Sequence, residues 1–287
     1  MVEDRGVTVG VDESGIYSFA GPRPYIGIAC FPVKNVEKLR EEGIKSKGHY
    51  KGEKNVSKLR EIRQRIDKYA VYCEAVPISH ELLDSYTKRK LKRHEAECLI
   101  IQDILFNVTR YLSDKGYRIR KIVIDKIRVR LQPSNYYFDD KVQQRLEKEI
   151  EAEVIVAEKA YENFTECKAA SVVAYEAFKR EQFDMQKEFG KIGSGHPSDK
   201  RTTEWLEKHF AGHRSFQMIP HQTESPRIKK IVSRDYHILD IRWETPYDLR
   251  DLGRGLSIPY LVLQNVFDDS NSENLEYVNL RKDLRLN

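Results

Sequence analysis

What most constrains this chain is a run of β-branched and small residues, Val7–Val11 (VTVGV), that stops abruptly on Asp12-Glu13-Ser14-Gly15. Such a run reads as a buried strand that delivers two adjacent carboxylates to the edge of a sheet. A second apolar run, Tyr25–Phe31 (YIGIACF), follows closely, and Gly21-Pro22 between them marks a turn. Two strands this near in sequence most simply pair as a hairpin. Further strands are expected at Tyr69–Val76, which alternates, at Lys121–Asp125 (KIVID), which again ends on a carboxylate, and at Glu153–Ala157.

Helices fill the intervals. Asn35–Glu42, Val56–Lys68, Lys141–Ile150 and Ser198–Phe210 carry helical patterns, the last with Ser198 as its cap. The strongest is Leu91–Leu112, where Leu91, Leu99, Ile100, Ile104, Leu105, Val108 and Leu112 recur at helical spacing. In Thr165–Glu188, Ala169, Ala170, Val173, Ala174 and Ala177 form a narrow face suited to close packing. From about Gln217 the texture changes, with strand-like runs at Ile228–Trp243 and Leu256–Phe267. The order β-β-α-α-β-α-β-α-β-α predicts an α/β fold, a mixed sheet flanked by helices, with a small β-rich C-terminal appendage.

Composition narrows the class of protein. The 287 residues are 40% hydrophobic and 10% aromatic, enough for a core and too apolar for a disordered chain. Fifty Lys and Arg against 45 Asp and Glu give a net charge of +5, compatible with a polyanionic partner without demanding one. Cys30, Cys73, Cys98 and Cys167 form no CxxC pair, which argues against a zinc knuckle or a disulfide framework. No apolar run nears the roughly 20 residues that span a bilayer. Met1–Arg5 leads into no secretory h-region, so a soluble, cytoplasmic protein is expected.

The candidate chemistry lies in the carboxylates. In an α/β sheet, strand ends collect polar groups over one edge, so Asp12, Glu13 and Asp125 can meet although they are distant in sequence. Clustered carboxylates repel unless cations lie between them, and hard divalent ions such as Mg²⁺ and Mn²⁺ prefer oxygen ligands. The plain alternative is that these acids only end strands in polar turns.

A resemblance favours the first reading. VGVDESG, followed by Gly21-Pro22 and an apolar strand, resembles the opening motif of the type 2 ribonucleases H, the ribonuclease HII/HIII family. Five further segments resemble that family in order. They are Gly43–Lys47, Val123–Asp125, Lys168–Ala174, Gly193–Asp199 with Thr202 and Trp205-Leu206, and His213–Phe216. The resemblance covers residues 7–216. It implies a ribonuclease H-like fold with a five-stranded mixed sheet over residues 1–216, leaving 217–287 as an extension. It also implies a metal-dependent endoribonuclease that cuts the RNA strand of RNA–DNA hybrids or duplexes containing ribonucleotides. Four acids would hold two Mg²⁺ or Mn²⁺ ions, Asp12, Glu13 and Asp125 among them, while Ser14, Gly15, Lys45, Lys47 and Ser171 would meet the substrate.

The departures are specific. Lys45 stands for the aspartate of the family's Asp-Ser-Lys segment, and Gly15-Ile16-Tyr17 replaces a Gly-Arg-Gly or Gly-Lys-Gly loop that reads the 2′-hydroxyl. The fourth acid falls on Tyr161, a phenol with a pKa of about 10 and a poor ligand for Mg²⁺. Glu162 is the expected substitute, with Glu158 behind it. After Ser171, Tyr175, Phe178 and Lys179 stand where the family has Lys and Arg-Asp. Two further readings follow: a fold that grips a hybrid or a protein without cutting, and a nuclease with shifted specificity, for example toward DNA.

Other groups have plainer roles. Lys88–Arg93 (KRKLKR) is either a phosphate contact or a solvated helix start. His196, His213 and Arg214 suit packing or phosphate contact. Tyr136–Phe138, Tyr236, Trp243 and Tyr247 suit packing more than base stacking. Asp199 is expected to be structural.

Overall fold

A computed structural model of the chain describes residues 5–15, 22–50, 56–78, 82, 93–126, 136–195, 199–209, 261–263 and 276–278. Five strands form one sheet: β1 (Gly6–Ser14), β2 (Tyr25–Pro32), β3 (Tyr72–Pro77), β4 (Arg118–Asp125) and β5 (Glu153–Ala157). Their order is β3-β2-β1-β4-β5. The first three are antiparallel neighbours, whereas β4 runs parallel to both β1 and β5. The sheet is therefore mixed and five-stranded, and the β1–β2 hairpin forms as expected.

The helices are α1 (Val33–Glu41), α2 (Val56–Tyr69), α3 (Arg93–Asp114), α4 (Tyr136–Ile150), α5 (Ala160–Asn163), α6 (Thr165–Phe189) and α7 (Lys200–His209). Alternation along β1 assigns its faces. Val7, Val9 and Val11 join Ile26, Ile28, Ile122 and Ile124 in a core with Leu99, Ile104, Leu105 and Val108 of α3 and Leu146 of α4. Ala29 and Phe31 of β2 join Leu39 of α1, Leu59, Ile62 and Ile66 of α2, and Ala169, Ala170, Val172 and Val173 of α6 on the opposite face.

Helix α6 lies unusually close to the sheet, and two glycines permit it. A Cβ on Gly10 would fall 2.1 Å from the Glu166 carbonyl, and one on Gly27 would fall 2.2 Å from the Ala170 oxygen. The alanine-rich face of α6 is thus matched to Cβ-free strand positions. Beside this contact Glu166 is buried, accepting from Thr8 Oγ1 at 3.0 Å and pairing with Lys121 Nζ at 2.6 Å.

Three expectations are adjusted at their edges. The third strand begins at Tyr72, because α2 runs on to Tyr69. Helix α7 begins at Lys200, where Asp199 Oδ1 accepts the Arg201 N–H at 3.0 Å, so Asp199 has the structural role assigned to it. Of the tail, β6 (Leu261–Leu263) pairs antiparallel with β7 (Glu276–Val278) inside one expected strand run and beyond it. The other expected run, Ile228–Trp243, lies outside the described residues, as do His196, His213, Arg214, Tyr236 and Tyr247. Lys88–Lys92 also lie outside them, and Arg93 opens α3. No helix among the described residues is long and apolar enough to cross a membrane.

Candidate active site

The parallel register of β1 and β4 brings the acids together. Gly10 pairs with Val123 and Val11 with Ile124, which sets Asp12 beside Asp125 on the face covered by α5 and α6. Asp12, Glu13 and Asp125 each present a carboxylate oxygen, and these atoms lie within 4.8 Å of one another. The Asp125 carboxylate is fixed by the Ala160 N–H, which donates to Oδ1 at 2.6 Å. Asp12 is 1% exposed. Its Oδ1 accepts the Glu13 N–H at 2.7 Å, whereas Oδ2 is buried with no hydrogen-bond partner.

Lys47, at the start of a one-turn 3-10 helix (Lys47–Tyr50), enters this cluster. Its Nζ donates to Asp12 Oδ1 at 3.0 Å and to the Glu13 carbonyl at 2.6 Å, and lies 3.9 Å from Glu13 Oε2. Its backbone N–H donates to Ser171 Oγ at 3.3 Å, and that hydroxyl donates to the Lys168 carbonyl at 2.7 Å. Ser171 is completely buried, so its hydroxyl, expected to meet substrate, instead positions Lys47. Lys45 is exposed and stands outside the cluster, while Ser46 between the two lysines is buried.

These contacts set the protonation preferences. Burial raises the Asp12 pKa well above the usual carboxylate range, and the charges of Glu13 and Asp125 add to that. Lys47 opposes the shift without reversing it. Burial also acts on Glu13, but Lys47 and the hydrogen bond with Asp12 outweigh it, and its pKa is lowered. For Lys47 burial is overcome by Asp12 and Glu13, so it holds its proton more tightly than a free lysine.

The place expected for a fourth acid is taken by Tyr161 on α5. Its ring centroid is 5.5 Å from Lys47 Nζ. Burial raises the phenol's pKa, and Asp125 and Glu162 add to the shift. Glu162 is not a member of the acid cluster among the described residues; its Oε1 lies 3.4 Å from Lys159 Nζ and it is about half exposed. Consecutive residues on a helical turn point about 100° apart, so a turn that aims Tyr161 at the site aims Glu162 elsewhere. The expectation that Glu162 completes the cluster is thereby corrected. Glu158 is exposed.

Two anchors for the segment after β1 went unread in the sequence. Gly15, with φ +80°, abuts the Phe178 ring on α6. One turn further, Glu181 accepts from Arg23 Nε at 3.1 Å and from the Tyr25 hydroxyl.

The oxygen set suits a hard divalent cation. Three carboxylates converge, and a buried oxygen of one of them has no partner. Asp12, Glu13 and Asp125 are the residues that would hold such an ion.

A mixed sheet in this order, with acids gathered where β1 and β4 end side by side, defines a ribonuclease H-like fold. The sequence pattern of the family described as Ribonuclease HII matches residues 9–222. The chain is 32% identical to the curated ribonuclease HII of Pyrococcus horikoshii over 217 residues, 75% of this chain and 88% of that one. The crystal structure of ribonuclease H2 from the same organism superposes with a TM-score of 0.57 at 24% identity, covering 79% of this chain and 98% of that chain. Bst-RNase HIII in complex with Mn²⁺ superposes with a TM-score of 0.54 at 15% identity, covering 80% of this chain and 70% of that one. This chain belongs to the ribonuclease HII family, a family of hydrolases.

Proposed function

We propose that this protein is a metal-dependent endoribonuclease that cuts the RNA strand of RNA–DNA hybrids or of duplexes containing ribonucleotides. The observation that carries this is the convergence of Asp12, Glu13 and Asp125 within 4.8 Å around an unpartnered Asp12 oxygen. A bound Mg²⁺ or Mn²⁺ would polarise the scissile phosphate and lower the pKa of an attacking water. The chain's own contribution is a rigid oxygen set: the Ala160 N–H orients Asp125, and Lys47 orients Asp12. Ser14 and Gly15, at the end of β1, would present backbone groups to a ribose, and the exposed Lys45 would meet a phosphate. Residues 1–216 form the nuclease domain in this reading, and 217–287 an extension to it.

A second reading rests on Tyr161. The two-ion arrangement that the resemblance implies draws on four carboxylates, and the fourth position holds a phenol beside Lys47. A protein so altered would grip a hybrid without cutting it.

One assay separates the two. Purified protein is incubated with Mg²⁺ or Mn²⁺ and labelled RNA–DNA hybrid, single-ribonucleotide duplex or plain DNA duplex, with Asp125→Asn as control. Cleavage of the ribonucleotide-containing substrates that is lost in the control is the expected result. Hybrid binding without cleavage by either protein would favour the second reading, and cleavage that survives the substitution would refute the assigned site.

A further inference from the structure

Two non-glycine residues among those described have a left-handed backbone, Glu151 with φ 55° and Lys159 with φ 54°. Glu151 follows the last residue of α4, and its N–H donates to the Glu147 carbonyl at 3.0 Å. Left-handed residues are common just past a helix, so Glu151 is accounted for locally. Lys159 is not. It precedes α5, where a capping residue ordinarily has extended dihedrals, and its side chain makes no capping hydrogen bond. A residue in an unfavoured backbone region is kept there by what surrounds it, and such residues cluster at functional sites.

The surroundings supply a reason. Asp125 pairs with Ala157 across the parallel β4–β5 ladder, and the Lys126 N–H donates to the Ala157 carbonyl at 2.8 Å. Continued as strand, the chain from Ala157 would carry Ala160 about 10 Å beyond Asp125. Instead it reverses at Lys159, whose carbonyl accepts the Glu162 N–H at 2.8 Å. The buried Ala160 then returns its N–H to Asp125 Oδ1 at 2.6 Å. The Lys159 ammonium is directed elsewhere, 3.4 Å from Glu162 with both side chains 48% exposed. What reaches the acid cluster from this turn is backbone.

We propose that Lys159 is a positioning residue of the acid centre: its left-handed backbone aims the Ala160 N–H so that Asp125 is held ready for a divalent ion. Such positioning rests on the metal-dependent reading given above. The role belongs to the φ angle and not to the charge, so substitutions at 159 should rank by backbone preference. Gly and Asn, which take left-handed dihedrals readily, should stand ahead of β-branched residues, which do not.

The test is a titration of the purified full chain with Mn²⁺, read by the loss of free-ion EPR signal, with circular dichroism to verify folding. Lys159→Gly and Lys159→Asn both discard the charge and are expected to bind Mn²⁺ within about twofold of wild type. Lys159→Val is expected to bind about tenfold or more weakly, the loss usual when a group that orients a metal ligand is disturbed. Its half-saturating Mn²⁺ concentration in hydrolysis of an RNA–DNA hybrid should rise by the same factor, with the rate at saturating Mn²⁺ near that of wild type. A merely structural lesion would instead lower the maximal rate and leave half-saturation in place. Lys159→Thr replaces Lys159→Val if the latter does not fold, and unfolding of both would make the turn a requirement of the fold and overturn the proposal. Weak binding by folded Lys159→Gly and Lys159→Asn would transfer the role to the ammonium, and undiminished binding by folded Lys159→Val would abolish it. Either result overturns the proposal while leaving metal dependence intact. No Mn²⁺ bound by wild type would overturn the metal-dependent reading, and this proposal with it.

Discussion

Gly15 rests against the Phe178 ring so closely that a Cβ at position 15 would lie 2.3 Å from Cε2. The glycine is also left-handed, with φ +80°. Helix α6 therefore fixes where the chain leaves β1, just beyond the clustered acids Asp12 and Glu13. It also fixes where the chain returns, through Glu181 with Arg23 and Tyr25. Two strictures act on one residue, and they separate experimentally. Gly15→Ala should cost about 2–4 kcal/mol in chemical denaturation, part from the left-handed backbone and part from the overlap. Adding Phe178→Ala removes the overlap alone, so the double variant should show a favourable coupling of about 1 kcal/mol or more. Additive losses would mean that the ring is not the obstacle.

Gly27 makes a harder contact, because its neighbour is backbone. The Ala170 oxygen and the Ala174 nitrogen would lie 2.2 and 2.8 Å from an added Cβ, and neither can rotate aside. Gly27→Ala should destabilise the fold by about 3 kcal/mol or more, read as a lowered denaturation midpoint with the slope unchanged. A loss under about 1 kcal/mol would show that α6 has room to lift from the sheet.

Much of this arrangement was legible before any coordinates. Strand β5 is the run Glu153–Ala157 as read from its pattern, and the hairpin followed from two apolar runs either side of Gly21-Pro22. Local periodicity carries such elements, since it needs only neighbours in sequence. The meeting of Asp12 with Asp125 needed more, because spacing cannot tell a parallel register from any other. Glu162 was misread for a local reason: one residue along a helical turn redirects a side chain by about 100°, and the sequence did not reveal that α5 begins at Ala160. The seat of Phe178 under Gly15 joins residues far apart in sequence, and no one-dimensional signal marks it.

Asp103 on α3 gives a pH dependence outside the site. Burial raises its carboxyl to about 7, with Arg145 acting in the opposite direction. A carboxyl whose folded-state pKa exceeds its unfolded value contributes stability that is complete below the unfolded value, near 4. That contribution is lost as pH rises through about 7. Asp103 should therefore weaken the fold between pH 4 and pH 8, by about 4 kcal/mol at most. Asp103→Asn removes the titration and keeps the shape. It should match wild type near pH 4 and exceed it by about 1–3 kcal/mol at pH 8, as measured by urea denaturation at both pH values. Parallel pH profiles for the two proteins would contradict the assignment.

Adjacent residues on α5 should behave oppositely when altered, which tests the orientation of that turn through activity. Glu162 pairs with Lys159 at the surface, both side chains 48% exposed, and such i, i+3 pairs contribute only a few tenths of a kcal/mol. Glu162→Gln should leave hydrolysis of an RNA–DNA hybrid within about twofold of wild type, since it removes only that weak pair. Asp125→Asn deletes one of three converging carboxylates while keeping an oxygen to accept the Ala160 N–H at 2.6 Å, so the turn should stay in place. Its loss should be about 100-fold or greater, beyond what supporting residues around a metal usually contribute. Initial rates at matched Mn²⁺ concentrations compare the two directly. A Glu162→Gln enzyme as impaired as Asp125→Asn would return Glu162 to the site and displace Tyr161 from it.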